Sequence, residues 1–426
     1  MKYGLIGEHL PHSFSVRVHS LCASYKYELC ELAPSELESF MKKADFCAIN
    51  VTIPYKRDVM KYLDEIDQTA IAVGSVNTVV NRNGKLFGYN TDLFGMRSLA
   101  KRENISVSGK KVLILGTGGT AQTARALCEC DGAREYFFVS RRADGGRVVS
   151  YEEAYGSHSD AEVIINTTPC GMFPNANGSD SMPAEPIDIS KFPNLCGVID
   201  AIYNPLRTNL VEKAKARKIM AAGGLYMLVA QGVLASRIFM GEDARAAEKS
   251  EELEKKAEAA YKKLLAEKEN TVLIGMPASG KSTVGKALAK ELGKPFVDTD
   301  EMIAEKAGKS ITEIFAELGE AGFRLLESEA VRESADLSGA IIATGGGAIL
   351  KGENVFCLKR NGELWFLDRP LESLLPTEDR PLAKSADAIK KLYAERIGIY
   401  RSVADHAVSG ERTVDETVTL IKSKFI

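Results

Sequence analysis

The sequence predicts an α/β protein built on mainly parallel sheets. Short apolar runs alternate with amphipathic stretches along most of the chain, the pattern of buried strands layered against helices. Two of those runs open directly into glycine-rich loops. Residues 112–115 lead into Gly116-Thr117-Gly118-Gly119-Thr120-Ala121, and residues 272–274 lead into Gly275-Met276-Pro277-Ala278-Ser279-Gly280-Lys281-Ser282. Between them, residues 241–269 shift to Glu, Lys and Ala, strong helix formers that separate two α/β regions.

Taken in order, residues 3–6, 48–51, 112–115, 136–139, 163–165 and 198–199 read as short buried strands, and residues 122–130 as the helix after the first loop. In 241–269, Glu and Lys recur at i, i+4, which supports an exposed helix, read as a helical linker or a shared boundary helix, with a solvated spacer favoured over a dock between the two halves. Residues 271–274 begin a new α/β unit that runs to the end of the chain. A length of 426 residues exceeds one hydrophobic core. A net charge of −3 supplies no attraction to nucleic acid or an anionic membrane. Eight cysteines without a C-x-x-C pair, and five histidines without ligand spacing, argue against a zinc site or a disulfide framework. They favour a reducing, cytoplasmic compartment. No apolar run reaches the roughly 18 residues of a membrane span, and the apolar start of the chain is too short for a signal peptide.

The two loops suit different ligands. In the first, Gly116, Gly118, Gly119, Thr120 and Ala121 allow a tight turn and bring the backbone close to a pyrophosphate at a helix N-terminus. The next strand ends at Ser140-Arg141-Arg142. An acidic residue there would take a ribose 2′-hydroxyl, whereas arginines suit a 2′-phosphate, which predicts NADP over NAD. The second loop is G-x-x-x-x-G-K-S, formed by Gly275, Ala278, Ser279 and Gly280 with Thr283 following. Its amides would cradle ATP phosphates, Lys281 would reach the β- and γ-phosphates, and Ser282 would ligate Mg²⁺. Asp298 and Asp300 follow at i, i+2. One can support hydrated Mg²⁺ while the other faces an acceptor hydroxyl, and a plain capping pair is the alternative. Gly345-Gly346-Gly347 permits close backbone approach.

The N-terminal half carries ordered polar motifs. They are H-S-x-S at 12–15, N-V-T-x-P-x-K at 50–56, G-x-V-N-T at 74–78, G-Y-N-T-D at 88–92, N-T-T-P-x-G-M at 166–172, D-x-x-Y-N-P at 200–205 and G-L-Y-M-L-V-A-Q-G at 224–232. In that order, with the first glycine loop, they resemble shikimate dehydrogenase over roughly residues 1–240. The resemblance implies that Lys56 and Asp92 are the catalytic dyad at the ketone of 3-dehydroshikimate. Which of them delivers the proton stays open. Ser13, Ser15, Thr52, Asn77 and Gln231 would bind the substrate carboxylate and hydroxyls. Thr167 and Met172 would line the cofactor path, with Tyr203 and Gly224 near the nicotinamide, while Met227 reads as packing. Val16 and Ser20 stand where the family has proline and asparagine, and 142–163 is short, trimming the adenosine side.

From residue 270 onward, the set G-x-x-x-x-G-K-S, D-T-D, F-R-x-x-E, G-G-G, R-P-L and R-x-x-x-Y resembles shikimate kinase. The resemblance implies that Asp300 contacts the acceptor hydroxyl of shikimate. Arg324 and Arg396 would clamp its carboxylate, with Glu327 holding Arg324. Gly346 and Gly347 would contact substrate through the backbone, and Arg380 would reach the nucleotide phosphates from a lid. That lid, 374–382, is short and has no second arginine before Arg380. Trp365 reads as core.

Together the resemblances imply a substrate-binding domain at 1–100 completed by a helix near 225–240, and a Rossmann NADP-binding domain at 101–224. A helical linker at 241–269 and a P-loop α/β/α kinase domain at 270–426 would follow. The expected partners are small molecules, 3-dehydroshikimate and shikimate, with no nucleic acid and no membrane; monomer and homodimer are both open. A quinate or NAD preference, or a kinase half acting as a nucleotide sensor, are the rival readings.

Overall fold

The computed structural model describes residues 1–10, 13–173, 185–376, 382–383 and 385–425. The chain divides into two compact units, Met1–Leu264 and Leu265–Ile426. The first unit holds two sheets. One is formed by β1 (Tyr3–Gly7), β2 (Tyr27–Glu31), β3 (Ala48–Val51), β4 (Glu65–Ile66), β5 (Thr78–Arg82) and β6 (Lys85–Tyr89), in the order β2-β1-β3-β5-β6-β4. β2, β1 and β3 run parallel, whereas β5 is antiparallel to both β3 and β6. The sheet is mixed because β5 and β6 form a tight hairpin. Its turn is Asn83-Gly84, with φ of 56° and 87°, the pair of left-handed residues a type I′ turn requires.

The second sheet contains β7 (Lys111–Leu115), β8 (Glu135–Val139), β9 (Val148–Val149), β10 (Val163–Asn166), β11 (Gly197–Asp200) and β12 (Met220–Ala222). Every pairing is parallel, in the order β12-β11-β10-β7-β8-β9. β7, β10 and β11 are buried along their whole length, so they read as continuous apolar runs rather than alternating ones. The strand order reverses between β7 and β10, and there the carboxyl ends open a crevice.

The helix Glu251–Lys268, preceded by the short helix Ala244–Glu248, fills the predicted linker. It is not a solvated spacer. Leu253, Ala257, Ala260 and Leu264 form a buried stripe at helical spacing. Arg102 of the first unit lies over the rings of Tyr226 and Tyr261, 5.1 and 4.5 Å from their centroids, and donates to Glu258 at 3.0 Å. The charged face hid this stripe from the sequence reading.

The second unit has one sheet, β13 (Asn270–Ile274), β14 (Phe296–Asp298), β15 (Ile341–Ala343), β16 (Gly362–Asp368) and β17 (His406–Ser409). All its pairings are parallel, in the order β14-β15-β13-β16-β17. The order reverses between β13 and β15. Trp365 is core, 6% exposed and stacked on His406. Among the described residues, no helix is long and apolar enough to cross a membrane.

Candidate active sites

In the first unit, Lys56 Nζ donates to Asp92 Oδ2 at 2.6 Å, and both side chains are mostly buried. Lys56 follows β3, and Asp92 opens the helix Asp92–Arg102, whose N-terminal dipole favours a negative charge. Asn77 fixes the other carboxylate oxygen, its Nδ2 donating to Asp92 Oδ1 at 2.9 Å. Asn77 Oδ1 in turn accepts from the Thr91 amide at 2.8 Å, and Thr91 Oγ1 donates to Gln231 Oε1 at 3.2 Å. The structure therefore brings Lys56, Asp92, Asn77 and Gln231 into one network. Ser13 and Ser15 sit at the start of the helix Ser15–Cys22, joined by the Ser15 amide donating to Ser13 Oγ at 3.2 Å. Thr52 directly follows β3. Met227 is buried at a helix crossing, where a side chain on Gly95 would meet its carbonyl at 2.6 Å.

The first glycine loop lies at the β7/β10 reversal. Gly116 has φ 98°, and a side chain there would meet Thr168 Cγ2 at 3.0 Å and Thr167 Oγ1 at 3.2 Å, so only glycine fits. At Gly118 and Gly119 an added Cβ would meet nothing within 4 Å. The helix Gly119–Cys130, which carries Thr120 and Ala121 in its first turn, has no side-chain cap. Its first turn thus has no side chain capping the amides, the setting a pyrophosphate needs. Ser140, Arg141 and Arg142 line a cavity of about 520 Å³. These residues fit a phosphorylated dinucleotide. Met172 and Thr167 lie beyond β10, where the Thr167 amide donates to Leu115 O at 3.1 Å. Tyr203 packs against Phe14 with centroids 5.3 Å apart. Gly224 is glycine for an internal reason, because a side chain would strike the Ala201 carbonyl.

In the second unit, Gly275, Ala278 and Gly280 take φ of 154°, 63° and 89° and wrap the loop around the start of the helix Lys281–Leu292. Lys281 Nζ donates to the Gly275 and Met276 carbonyls at 2.9 and 3.0 Å. Ser279 Oγ is buried without a hydrogen-bond partner. A buried hydroxyl left so costs about 1–3 kcal/mol, and a phosphate oxygen in this loop would satisfy it. Ser282 Oγ donates to Asp298 Oδ2 at 2.6 Å, the hydroxyl–carboxylate pair a hydrated Mg²⁺ needs. Asp298 also caps the following helix, its Oδ1 accepting from the Asp300 amide at 2.9 Å, which is the capping alternative read in the sequence. Thr283 is exposed on the outer side of the first turn.

The triple glycine meets this loop across the β13/β15 reversal, and each glycine lacks a side chain for its own reason. A Cβ on Gly345 would strike Asp300 Oδ1 at 2.5 Å, one on Gly346 would meet Pro277 Cδ at 2.9 Å, and one on Gly347 would overlap the Arg324 guanidinium. Arg324 donates to Glu327 at 2.8 Å and to Glu320 at 2.9 Å. Burial pushes the Glu327 carboxyl up, against the pull of Arg324, and its Oε1 has no hydrogen-bond partner. Arg396 is 5% exposed and donates to Gly346 O at 3.1 Å. Among the described residues no ion pair neutralises it. A buried guanidinium without a carboxylate is costly, and an acidic ligand supplies the missing partner. His12 and Arg380 lie outside the described residues.

Residues 5–79 match the family model described as the shikimate dehydrogenase substrate binding domain, and residues 277–425 match that of shikimate kinase. The shikimate dehydrogenase (NADP(+)) of Clostridium beijerinckii is 35% identical over 253 residues, covering 56% of this chain and 91% of the relative. The chain belongs to the shikimate dehydrogenase family. Its second unit carries a shikimate kinase domain. Among solved structures, shikimate dehydrogenase 1 of Peptoclostridium difficile aligns with a TM-score of 0.53 at 32% identity, covering 61% of this chain and 97% of that one. A chorismate mutase/shikimate 5-dehydrogenase fusion protein of Clostridium acetobutylicum aligns with a TM-score of 0.53 at 29% identity, covering 61% and 95%.

Several residues of the dehydrogenase unit went unread in the sequence. Asn50 donates to Thr78 Oγ1 at 3.0 Å and accepts from Tyr27 Oη at 2.8 Å, so it anchors the start of β5, directly after Asn77. Asn90 Oδ1 accepts from the Asp92 amide at 3.0 Å and aims the helix that bears the dyad carboxylate. In the shikimate kinase domain, Arg369 braces the phosphate loop by donating to Ser279 O at 3.0 Å. Asn50 and Asn90 lie inside motifs already marked, whereas Arg369 directly follows β16, in a second R-P-L at 369–371 that the sequence reading did not single out.

Proposed function

We propose that this chain catalyses two consecutive reactions on one small molecule. Its first unit reduces 3-dehydroshikimate to shikimate with NADPH, and its second transfers the γ-phosphoryl group of ATP to shikimate, giving shikimate 3-phosphate. What carries the reading is the presence of two complete constellations on one chain, Lys56–Asp92 before a dinucleotide loop and Lys281–Asp300–Arg396 around a phosphate loop.

When bound, the reduced nicotinamide supplies a hydride to the ketone carbon. Negative charge then develops on the carbonyl oxygen, where the Lys56 ammonium stabilises it and is poised to donate a proton. Asp92, held by Asn77, keeps that ammonium in place. Ser13, Ser15, Thr52, Asn77 and Gln231 hold the ring hydroxyls and carboxylate. Arg141 and Arg142 take the 2′-phosphate, beside a loop built from Gly116, Gly118, Gly119, Thr120 and Ala121. Thr167, Met172, Tyr203 and Gly224 border the nicotinamide path. In the second unit Asp300 receives the proton of the attacking hydroxyl while Arg324 and Arg396 clamp the carboxylate, with Gly346 and Gly347 behind it. Lys281 and the loop Gly275–Ser282 hold the phosphates, Ser282 and Asp298 hold Mg²⁺, and the reading assigns Arg380 to the nucleotide.

We assign the substrate-binding domain to 1–100 with a helix near 225–240, the NADP-binding domain to 101–224, the linker to 241–269 and the kinase domain to 270–426. We assign the protein to the cytoplasm, the reducing compartment that its eight cysteines favour. The test is an assay of each step with purified full chain. NADPH with 3-dehydroshikimate should give rapid oxidation and NADH much slower oxidation, and shikimate with Mg-ATP should release ADP. Equal rates with both nicotinamide cofactors overturn the NADP assignment. Absence of ADP release overturns the kinase assignment.

A further inference from the structure

One hydroxyl in the second unit touches two backbone carbonyls from opposite sides of its site. Tyr400 lies on the helix Ala386–Val403, one turn beyond Arg396, and is 1% exposed. Its ring stacks flat on Phe366 of β16, with centroids 5.1 Å apart and planes 1° from parallel. Its Oη lies 2.9 Å from the carbonyl of Gly275, the first residue of the phosphate loop. The same oxygen hydrogen-bonds the carbonyl of Gly346 in the triple glycine. Gly275 O also accepts from Lys281, and Gly346 O from Arg396. A continuous chain therefore joins Lys281, Gly275, Tyr400, Gly346 and Arg396.

We propose that Tyr400 is a positioning residue that sets the separation between the phosphate loop and the substrate loop. This rests on the kinase reading above. A phenol has a single proton, so it donates fully to one carbonyl at a time and is shared between two. Sharing draws both carbonyls onto one oxygen. That oxygen cannot wander, because its ring is clamped on Phe366 inside a close-packed core. Lys281 and Arg396 are unsuited to this part, since each is a long flexible side chain that the kinase reading assigns to a ligand. Pro277 also packs against Gly346, which fixes contact but not direction. Phosphoryl transfer depends on the attacking and leaving oxygens standing in line, and small misplacements lower the rate without weakening either ligand's binding.

Tyr400→Phe in the full chain keeps the stacked ring and removes only the oxygen. Trp365 is the only tryptophan in the chain and lies in β16 beside Phe366, so its fluorescence reports from the second unit. Titrations of Mg-ADP and of shikimate followed at Trp365 should give Kd values within about threefold of wild type. The kcat for phosphoryl transfer should fall about 10- to 100-fold, the loss expected when bound reactants are misaligned. Hydrogen exchange of residues 344–350 in the ligand-free protein should accelerate. A second variant, Phe366→Leu, keeps the hydroxyl but frees the ring and should lose less of kcat. An unchanged kcat in Tyr400→Phe overturns the proposal. So does a loss carried entirely by weaker binding of both ligands. If Tyr400→Phe fails to fold, an unaltered kcat in Phe366→Leu overturns it. A wild-type protein that binds neither ligand at Trp365 and releases no ADP overturns the kinase reading itself.

Discussion

One lysine stands at the candidate site of each unit, and their partners differ. Lys56 holds a carboxylate, Asp92, at 2.6 Å, whereas Lys281 holds two backbone carbonyls, those of Gly275 and Met276. A carboxylate partner fixes the ammonium, offsets much of its charge and provides a second group for proton traffic. That arrangement suits a ketone whose oxygen gains a proton. Carbonyl partners fix the ammonium equally well and, being uncharged, do not themselves neutralise it. That arrangement suits phosphate, which needs charge and no proton. The same side chain thus serves two chemistries through what it leans on.

Replacing Lys281 by methionine should break the comparison hardest. The stem remains, the charge goes, and ADP release with shikimate should fall on the order of 10²- to 10³-fold. Asp92→Asn comes next. It keeps the shape and removes the counter-charge, and NADPH oxidation should fall about 10²-fold with a smaller change in KM for 3-dehydroshikimate. A wild-type rate in the first variant would remove Lys281 from the account, and in the second the Asp92 partner of Lys56. Arg141→Asp sharpens the contrast between the two phosphate sites. KM for NADPH should rise about tenfold or more while the slow reaction with NADH holds; an unmoved KM would take Arg141 out of the cofactor site.

The smallest effect concerns stability. Asp200 is fully buried at the end of β11 and accepts from Thr208, Ile202 and Asn166. Burial outweighs those bonds and pushes its carboxyl up to about 7. An unfolded aspartate titrates near pH 4, at about 3.9. Between those values the folded chain keeps a proton that the unfolded chain releases. The stabilisation is complete below about pH 4 and is lost as pH rises toward 7, by at most about 1.4 kcal/mol per pH unit. Asp200→Asn should flatten that slope in denaturant midpoints measured from pH 5 to 7.5. Parallel wild-type and variant curves would refute the shift.

Much of both sites was legible because their chemistry sits in contiguous motifs. Lys56, Asp92, Lys281, Asp298 and Arg396 each lie in a short pattern whose residue types already state a task. What stayed hidden was held by contacts between distant segments. Tyr400 stands in the R-x-x-x-Y pattern, but its two carbonyls come from residues 275 and 346, and no spacing announces them. The triple glycine reads as ligand contact, yet Asp300, Pro277 and Arg324 already occupy the space its side chains would take. Two features were written in the sequence and passed over. Asn83-Gly84 is a strong hairpin signal that makes the first sheet mixed. Leu253, Ala257, Ala260 and Leu264 form a helical stripe that docks the charged helix.

The central claim is that each lysine runs one reaction on a shared small molecule. A single coupled assay tests it most directly, with NADPH, 3-dehydroshikimate and Mg-ATP given to wild type, Lys56→Ala and Lys281→Ala. Wild type should oxidise NADPH and release ADP. Lys56→Ala should do neither until shikimate is added, when ADP release returns at the wild-type rate. Lys281→Ala should oxidise NADPH normally, accumulate shikimate and release no ADP. If Lys281→Ala also stops NADPH oxidation, or added shikimate fails to rescue Lys56→Ala, the account of two self-sufficient sites is wrong.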